Sequence, residues 1–225
     1  MKWILDLFAS TLGRKLLMSL TGLFLILFLV VHLTGNLQLL KDDGGLAFNH
    51  YAEFMGTNPF IQLISKGNFA FILLHVFISL ALTIRARRAR GPQGYAVAGK
   101  SSIWASRNMG ILGTTILIFL VVHLKDFWAM QHFGEMQMAT YGEESYKDLY
   151  GLVQFWFTKG WYVGLYVFCM IALGFHLWHG FASAFQTLGV NHLKYNGLIT
   201  FVGKTFAVVI PALFAWIPIS IYFMN

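Results

Sequence analysis

The chain has 225 residues, of which 57% are hydrophobic, 17% aromatic and only 11% charged. This composition excludes an ordinary soluble domain, in which about a quarter of the residues are charged. The formal net charge of +7 could suggest a nucleic-acid partner, but in a membrane protein it more often reports topology. The single cysteine, Cys169, excludes an internal disulfide, and the lack of a CxxCH motif excludes covalent c-type haem.

Five runs of the sequence carry almost no charge, and each is long enough to cross a bilayer, which takes about 20 apolar residues as a helix. Backbone polar groups in lipid must be paired internally, so the runs predict an all-α integral membrane protein, a bundle of five transmembrane helices. We expect one membrane domain, residues 1–225, with helices at about 16–37, 60–84, 107–130, 160–188 and 198–223.

The distribution of Lys and Arg over the loops predicts the orientation. With the N-terminus in the cytoplasm, eleven of the 16 Lys and Arg residues lie on the cytoplasmic side and five lie outside. By the positive-inside rule this places the N-terminus in the cytoplasm and the C-terminus outside.

The first and third predicted helices share a repeat, Phe-Leu-Val-Val-His-Leu, which ends at Leu33 in one and at Leu124 in the other. Each copy has a glycine ten residues before its histidine, Gly22 and Gly113. A histidine inside a membrane span is costly and needs a partner. The repeat therefore indicates that His32 and His123 serve one object or each other.

The loop after the first helix begins with turn residues and then keeps helical spacing from about residue 48 to 55, which predicts a short interfacial helix. The second helix carries His75 and leads into a basic run, Arg85–Arg90, before Gly91. Such runs are mostly topology anchors, although this one could also bind anionic lipid, haem propionates or an acidic partner.

The third helix carries His123 and is followed by a polar, acidic segment that extends to Lys159. The fourth helix carries His176 and His179 one turn apart. The fifth has no histidine and is interpreted as a packing helix, which Pro211 and Pro218 should kink.

The depth of the histidines sorts them into two pairs. At about 1.5 Å per residue, His32 and His123 each lie about 24–25 Å from the inner edge of the membrane, and His75 lies about 15 Å from it. His176, on a helix that runs inwards, also lies towards the inner side. Two facing helices with one histidine each can hold a flat macrocycle from both sides. The pattern predicts two bis-His haem b groups, an outer one on His32 and His123 and an inner one on His75 and His176.

Three other interpretations compete with haem. A membrane histidine can simply be a hydrogen-bond partner between helices. A zinc site would need three or four close ligands, usually with a Cys or a carboxylate. A proton or ion transporter would be expected to carry Asp or Glu in its spans. No carboxylate is expected deep in these spans, which disfavours both the zinc site and the transporter.

The spacing of Ser19, Gly22 and His32 resembles that of the membrane anchors of succinate dehydrogenases and fumarate reductases. The segment His176-Leu-Trp-His179-Gly180, followed by Phe-Gln-Thr-Leu-Gly189, resembles the same anchors. One chain of five helices with a histidine on each of the first four is similar to the di-haem cytochrome b558 type.

The resemblance implies outer haem ligands His32 and His123 and inner ligands His75 and His176, with His179 as the runner-up to His176. It implies electron transfer between flavoprotein and iron–sulfur subunits at the cytoplasmic face and a membrane quinone, with menaquinone as the expected type, in a bacterial inner membrane. Some members have a Glu two residues before the fourth ligand. Here that position is Gly174, which argues against a compensating proton path through it.

Haem propionates favour hydroxyl and cationic side chains, so Ser19, Arg14 and Arg85 are candidates for the inner haem. Quinone reduction needs proton exchange at the membrane edge. The outer candidates, each of which could equally be a solvated loop residue, are Asn36, His50, Tyr51, Glu53, Lys125 and Asp126. An inner-face quinone site stays open, as do two other functions: a different di-haem cytochrome (b561-like or a dehydrogenase gamma subunit) and a proton or ion transporter.

Overall fold

The computed structural model describes residues 6, 10–91 and 104–224. Within them, five helices are long and apolar enough to cross a membrane, as the sequence predicts. Helix dominates because a chain surrounded by lipid must satisfy its backbone N–H and C=O groups within each segment. The predicted helical membrane architecture is confirmed, whereas the orientation of the chain stays a prediction.

Three of the spanning helices, the first, second and fifth, are longer than the sequence predicts, and further short helices are present. The second spanning helix continues to Arg90 instead of ending near residue 84, because arginine and alanine favour helix and the chain first turns away at Gly91, whose φ is 69°. The helices are α1 (Thr11–Asn36), α2 (Leu46–Thr57), α3 (Pro59–Arg90), α4 (Trp104–Arg107), α5 (Met109–His123), α6 (Met130–Phe133), α7 (Leu149–Phe157), α8 (Gly160–Thr187) and α9 (Leu193–Met224).

The third spanning helix changes its winding directly after His123. α5 ends at His123, and the chain continues as a π-helix over Leu124–Ala129 before the last α-helical turn, α6. A π-helical turn is rare and is often found at functional sites. Here it contains Lys125 and Asp126, and the Asp126 side chain is buried.

Smaller elements occupy the segments between the spanning helices. α2 confirms the short helix predicted after the first span, although it starts slightly earlier. The acidic segment before Lys159 forms an antiparallel hairpin of β1 (Met138–Tyr141) and β2 (Glu144–Lys147), which the sequence did not predict. α7 follows, and the Asp148 side chain caps it by accepting a hydrogen bond from the backbone N–H of Gly151 at 2.8 Å.

The chain forms two compact units, and all five spanning helices contribute residues to both. Unit 1 takes its described residues from Met1–Phe28, Gly67–Thr114 and Gly174–Val208. Unit 2 takes them from Leu29–Lys66, Thr115–Leu173 and Val209–Asn225. Unit 2 holds an apolar core whose buried residues are Leu33, Leu39, Phe48, Leu149, Val153, Phe157, Tyr162, Val163, Tyr166, Ile217 and Ile221.

Candidate functional site: two histidine pairs

Unit 2 brings the rings of His32 and His123 together, edge to face. Their ring centroids are 5.7 Å apart and their planes make an angle of 87°. His32 lies in α1, and His123 is the last residue of α5. Phe119, one turn before His123, stacks on its ring at 5.6 Å between centroids, and Phe214 lies 5.7 Å from His32. The two copies of the repeat therefore meet at their histidines.

A hydrogen-bonded connection leads away from His123. Its Nδ1 lies 3.1 Å from the Tyr166 hydroxyl, which lies 3.3 Å from the Tyr162 hydroxyl. Tyr162 donates to Oδ2 of Asp126 at 3.0 Å, and Lys125 donates to the other carboxylate oxygen at 3.0 Å. The Asp126 side chain is only 5% exposed, whereas that of Lys125 is 76% exposed.

Unit 1 pairs His75 of α3 with His176 of α8. The ring centroids are 6.4 Å apart, with an angle of 63° between the planes. Nδ1 of His75 lies 3.1 Å from the Thr21 hydroxyl. Nδ1 of His176 is buried and has no hydrogen-bond partner among the described residues. The ring that faces His75 is thus that of His176, and His179 lies one turn further along α8.

The glycines of the repeat lie beside the histidines of unit 1. A Cβ on Gly22 would be 3.4 Å from Cε1 of His75, and a Cβ on Gly113 would be 3.9 Å from Cε1 of His176. Each copy of the repeat therefore supplies its histidine to one pair and its glycine to the other. A Cβ on Gly180, one turn beyond His176, would meet none of the described residues within 4 Å.

The ring centroids in the two pairs are 5.7 and 6.4 Å apart, which is a usual distance between packed aromatic rings. Two imidazoles bound to one metal from opposite sides, with metal–nitrogen bonds of about 2 Å, would have their centroids about 6 Å apart. The spacing of both pairs is thus compatible with such a metal. Among the described residues, the buried Nδ1 of His176 has no hydrogen-bond partner. Buried polar atoms are normally hydrogen-bonded, so this nitrogen fits a site where a ligand or another partner would satisfy it.

The residues predicted to contact haem propionates have different surroundings. Ser19 is buried in α1 and donates its hydroxyl hydrogen to the backbone oxygen of Lys15 at 2.9 Å. Its oxygen can still accept a hydrogen bond, but the hydrogen is not free for a propionate. Arg14 is partly buried and Arg85 is exposed.

Four of the six predicted quinone contacts line two cavities in unit 2. Lys125 and Asp126 lie in the wall of a cavity of about 490 Å³, which is otherwise mostly apolar. His50 and Tyr51 line a smaller one of about 260 Å³. Partial burial raises the pKa of the Tyr51 phenol.

The other two predicted quinone contacts lie outside these two cavities. The Asn36 amide donates to the backbone oxygen of His32 at 2.8 Å. Glu53 accepts a hydrogen bond from Thr57 through its backbone oxygen, at 2.8 Å. The face of α1 beyond His32 is covered at Gly35 by the ring of Tyr51.

Burial separates Asp126 from the other candidates. Asp126 is 4% exposed, so it is not a solvated loop residue. It lies in the π-helical turn towards the end of the third apolar helix, Met109–Phe133.

Three residues of the site, Tyr162, Tyr166 and Thr21, are missing from the sequence-based predictions. A signal for the tyrosines exists, because they lie four residues apart on one face of an apolar helix and a buried phenol needs a hydrogen-bond partner. Tyr162 is 0% and Tyr166 6% exposed.

No protein-family model, curated protein or solved structure matches the chain. The geometry of the two histidine pairs is therefore the main indication of function.

Proposed function

We propose that the chain is the membrane anchor and electron-transfer subunit of a succinate:quinone oxidoreductase in a bacterial inner membrane. In this proposal it holds two haem b groups, one between His32 and His123 and one between His75 and His176. It passes electrons between flavoprotein and iron–sulfur subunits at the cytoplasmic face and a membrane quinone, for which we propose menaquinone.

One observation supports the proposal: four histidines from four spanning helices form two pairs, and the spacing of each pair is compatible with two imidazoles that would hold one haem iron. Histidines that only joined helices would be expected to find partners singly and at various positions. Each pair here lies within one compact unit. A haem with two histidine ligands has no open coordination position, so it supplies electron transfer and not oxygen binding.

The quinone would bind in the larger cavity of unit 2. Its wall is mostly apolar, as a quinone ring requires, and its polar groups are Lys125 and Asp126. Asp126 can exchange protons with a bound head group, and Lys125 can hold the carboxylate charge in place. Of the six quinone contacts predicted from the sequence, the proposal thus keeps two, Lys125 and Asp126.

The soluble subunits would dock where the basic run ends α3. Arg85, Arg87 and Arg88 are exposed there. An exposed row of guanidinium groups favours an acidic partner surface or anionic lipid. Under the predicted topology this end of α3 faces the cytoplasm, where the flavoprotein and iron–sulfur subunits would be.

The test is the dithionite-reduced minus oxidised spectrum of the purified full-length chain, together with His→Ala variants. We expect an α-band of low-spin haem b from two groups per chain. His32→Ala and His123→Ala should each remove the same group, and His75→Ala and His176→Ala the other. His179→Ala is the matched control and should keep both. A chain with no α-band contradicts the haem proposal, and loss of the same group from His32→Ala and His75→Ala contradicts the pairing.

One observation favours a second candidate, a proton or ion transporter. Asp126 is a buried carboxylate inside an apolar helix, and such residues often mark ion paths. A transporter would give no haem spectrum. A b561-like cytochrome or a dehydrogenase gamma subunit would give the spectrum but no reduction by succinate. Reduction of the haem by succinate in the purified complex therefore distinguishes the anchor from all three.

A further inference from the structure

Hydrogen bonds link His123 to Asp126 through Tyr166 and Tyr162. Tyr162 donates to Asp126, and Lys125 donates to the same carboxylate. Both carboxylate oxygens of Asp126 therefore act as acceptors, and the single hydrogen of the Tyr162 hydroxyl points towards Asp126.

Counting hydrogens carries this direction to the histidine. A phenol has one hydrogen, and that of Tyr162 is used on Asp126. The Tyr162 oxygen must then accept from Tyr166, 3.3 Å away, and this uses the Tyr166 hydrogen. The Tyr166 oxygen is left as an acceptor for Nδ1 of His123, at 3.1 Å. His123 consequently carries its proton on Nδ1, and its Nε2 keeps a free lone pair.

His75 also carries its proton on Nδ1, and there the acceptor is a threonine hydroxyl. The Thr21 hydroxyl donates to the backbone oxygens of Leu17 and Met18, at 2.8 and 3.1 Å. Its oxygen is then left to accept from Nδ1 of His75. One histidine of each pair is therefore set with Nε2 as its free nitrogen.

We propose that Tyr166, Tyr162 and Asp126 are positioning residues that fix the proton of His123 on Nδ1 and so leave Nε2 as the nitrogen with a lone pair for a metal. That these residues serve haem binding rests on the proposed function. A ligand histidine generally needs its second nitrogen held by an acceptor, which orients the ring and makes the ligand nitrogen more basic. Here the acceptor is a buried carboxylate that acts through two tyrosines.

The connection also links the ring of His123 to the larger cavity of unit 2. Asp126 belongs both to the cavity wall and to the end of the hydrogen-bonded connection. A group bound in the cavity could compete for the Asp126 carboxylate. The same carboxylate sets the direction of the hydrogen bonds that lead to His123. The ring and the cavity therefore share one polar network.

The first test measures the proton itself in the haem-free, full-length chain in micelles. The ¹⁵N shifts of the His123 ring distinguish a protonated Nδ1 from a protonated Nε2. We expect a protonated Nδ1 in the natural chain, and a mixture of the two forms in Tyr166→Phe, which has no hydroxyl to accept the hydrogen. Tyr222→Phe, on α9 in the same unit, is the control and should not change the spectrum. A proton on Nε2 in the natural chain overturns the proposal.

The second test uses the haem-loaded chain and the reduction potential of each haem. Without its acceptor, His123 becomes a weaker donor to the metal, so Tyr166→Phe should raise the potential of the haem that His32→Ala removes. A tenfold change in the ratio of reduced to oxidised haem corresponds to about 59 mV, which is the size we expect. Tyr162→Phe should give a smaller rise, because Tyr166 keeps its oxygen. The reduction potential of the haem held by His75 and His176 should not change.

The two tests separate the two proposals. If the natural chain binds no haem but carries its proton on Nδ1 of His123, the proposed function fails and the positioning role stands. If Tyr166→Phe shifts neither haem, or shifts both equally, the positioning role fails while the haem proposal is unaffected. A loss of stability alone would lower the yield without moving one potential relative to the other.

Discussion

Gly35 lies in α1 one turn beyond His32, and the Tyr51 ring fills the space that a side chain there would need. This close approach ties α2 to α1 beside the histidine pair of unit 2. It also shows why a glycine near a ligand histidine is an ambiguous signal in a sequence. At Gly22 the free space adjoins His75, whereas at Gly35 it is already filled by a tyrosine from the next helix.

Gly35→Ala should therefore destabilise the protein although alanine favours helix. A Cβ at this position would overlap the Tyr51 ring, and such overpacking costs about 1–3 kcal/mol. Gly164→Ala in α8 is the matched control, because no atom of the described residues would lie within 4 Å of its Cβ. It should be neutral, or more stable by up to about 1 kcal/mol.

The measurement is the free energy of unfolding in detergent, with the double variant Gly35→Ala/Tyr51→Ala to isolate the contact. The cost of Gly35→Ala should largely disappear when the Tyr51 ring is removed. Equal stability of Gly35→Ala and Gly164→Ala would show that the Tyr51 ring moves away without cost.

The polar segments between the spans are held together by Asn49 of α2, which is 1% exposed. Its amide nitrogen donates to the Tyr141 hydroxyl at 3.0 Å and to Asp148 at 3.2 Å. Its oxygen accepts the backbone N–H of Tyr150 at 2.8 Å. One side chain thus joins α2, the β-hairpin and the start of α7, and α7 packs against the π-helix.

We expect Asn49→Ala to cost about 1–3 kcal/mol of unfolding free energy, because it leaves buried polar groups without partners. Asn49→Asp should cost more at neutral pH, since it places a second carboxylate beside Asp148. That additional cost should fall as the pH is lowered, because protonation of the introduced carboxylate removes the repulsion. Asn108→Ala, which removes an exposed hydrogen bond to the backbone of Trp104, is the control and should stay within about 0.5 kcal/mol. Chemical denaturation at neutral and acidic pH measures all three, and an Asn49→Ala variant as stable as the control contradicts the role.

The spanning helices were predictable because a bilayer imposes a simple rule of length and polarity on the sequence. The hairpin was not, since β1 and β2 have four residues each, and so short a polar pair has little alternation to detect. The histidine pairs could be predicted from depth along regular helices. The partners of His123 could not, because they depend on the rotation of α8 about its axis and on a π-helical turn that moves Asp126 out of the ordinary helical register.

The number of spanning helices links the local geometry to the orientation of the whole chain. Five spans place consecutive connections on alternate sides of a membrane. The residues after α3 and those between α8 and α9 should then lie on one side, and the β-hairpin on the other. The uneven distribution of Lys and Arg predicts that the first two lie in the cytoplasm.

Single introduced cysteines test this arrangement, with Cys169→Ser as background because Cys169 is the only cysteine of the chain and is buried. We choose three exposed positions, Arg88, Glu143 and Lys194. A membrane-impermeant maleimide should label Glu143→Cys in right-side-out vesicles. It should label Arg88→Cys and Lys194→Cys only in inside-out vesicles.

The pattern of labelling distinguishes two errors. If Arg88→Cys and Glu143→Cys react from the same side, the helix between them does not cross the membrane, and His123 cannot have the depth on which its predicted pairing with His32 depends. If all three positions react from the sides opposite to those expected, the five spans stand but the orientation is inverted. The basic end of α3 would then face away from the cytoplasm, and the proposed docking of the iron–sulfur and flavoprotein subunits there would be wrong.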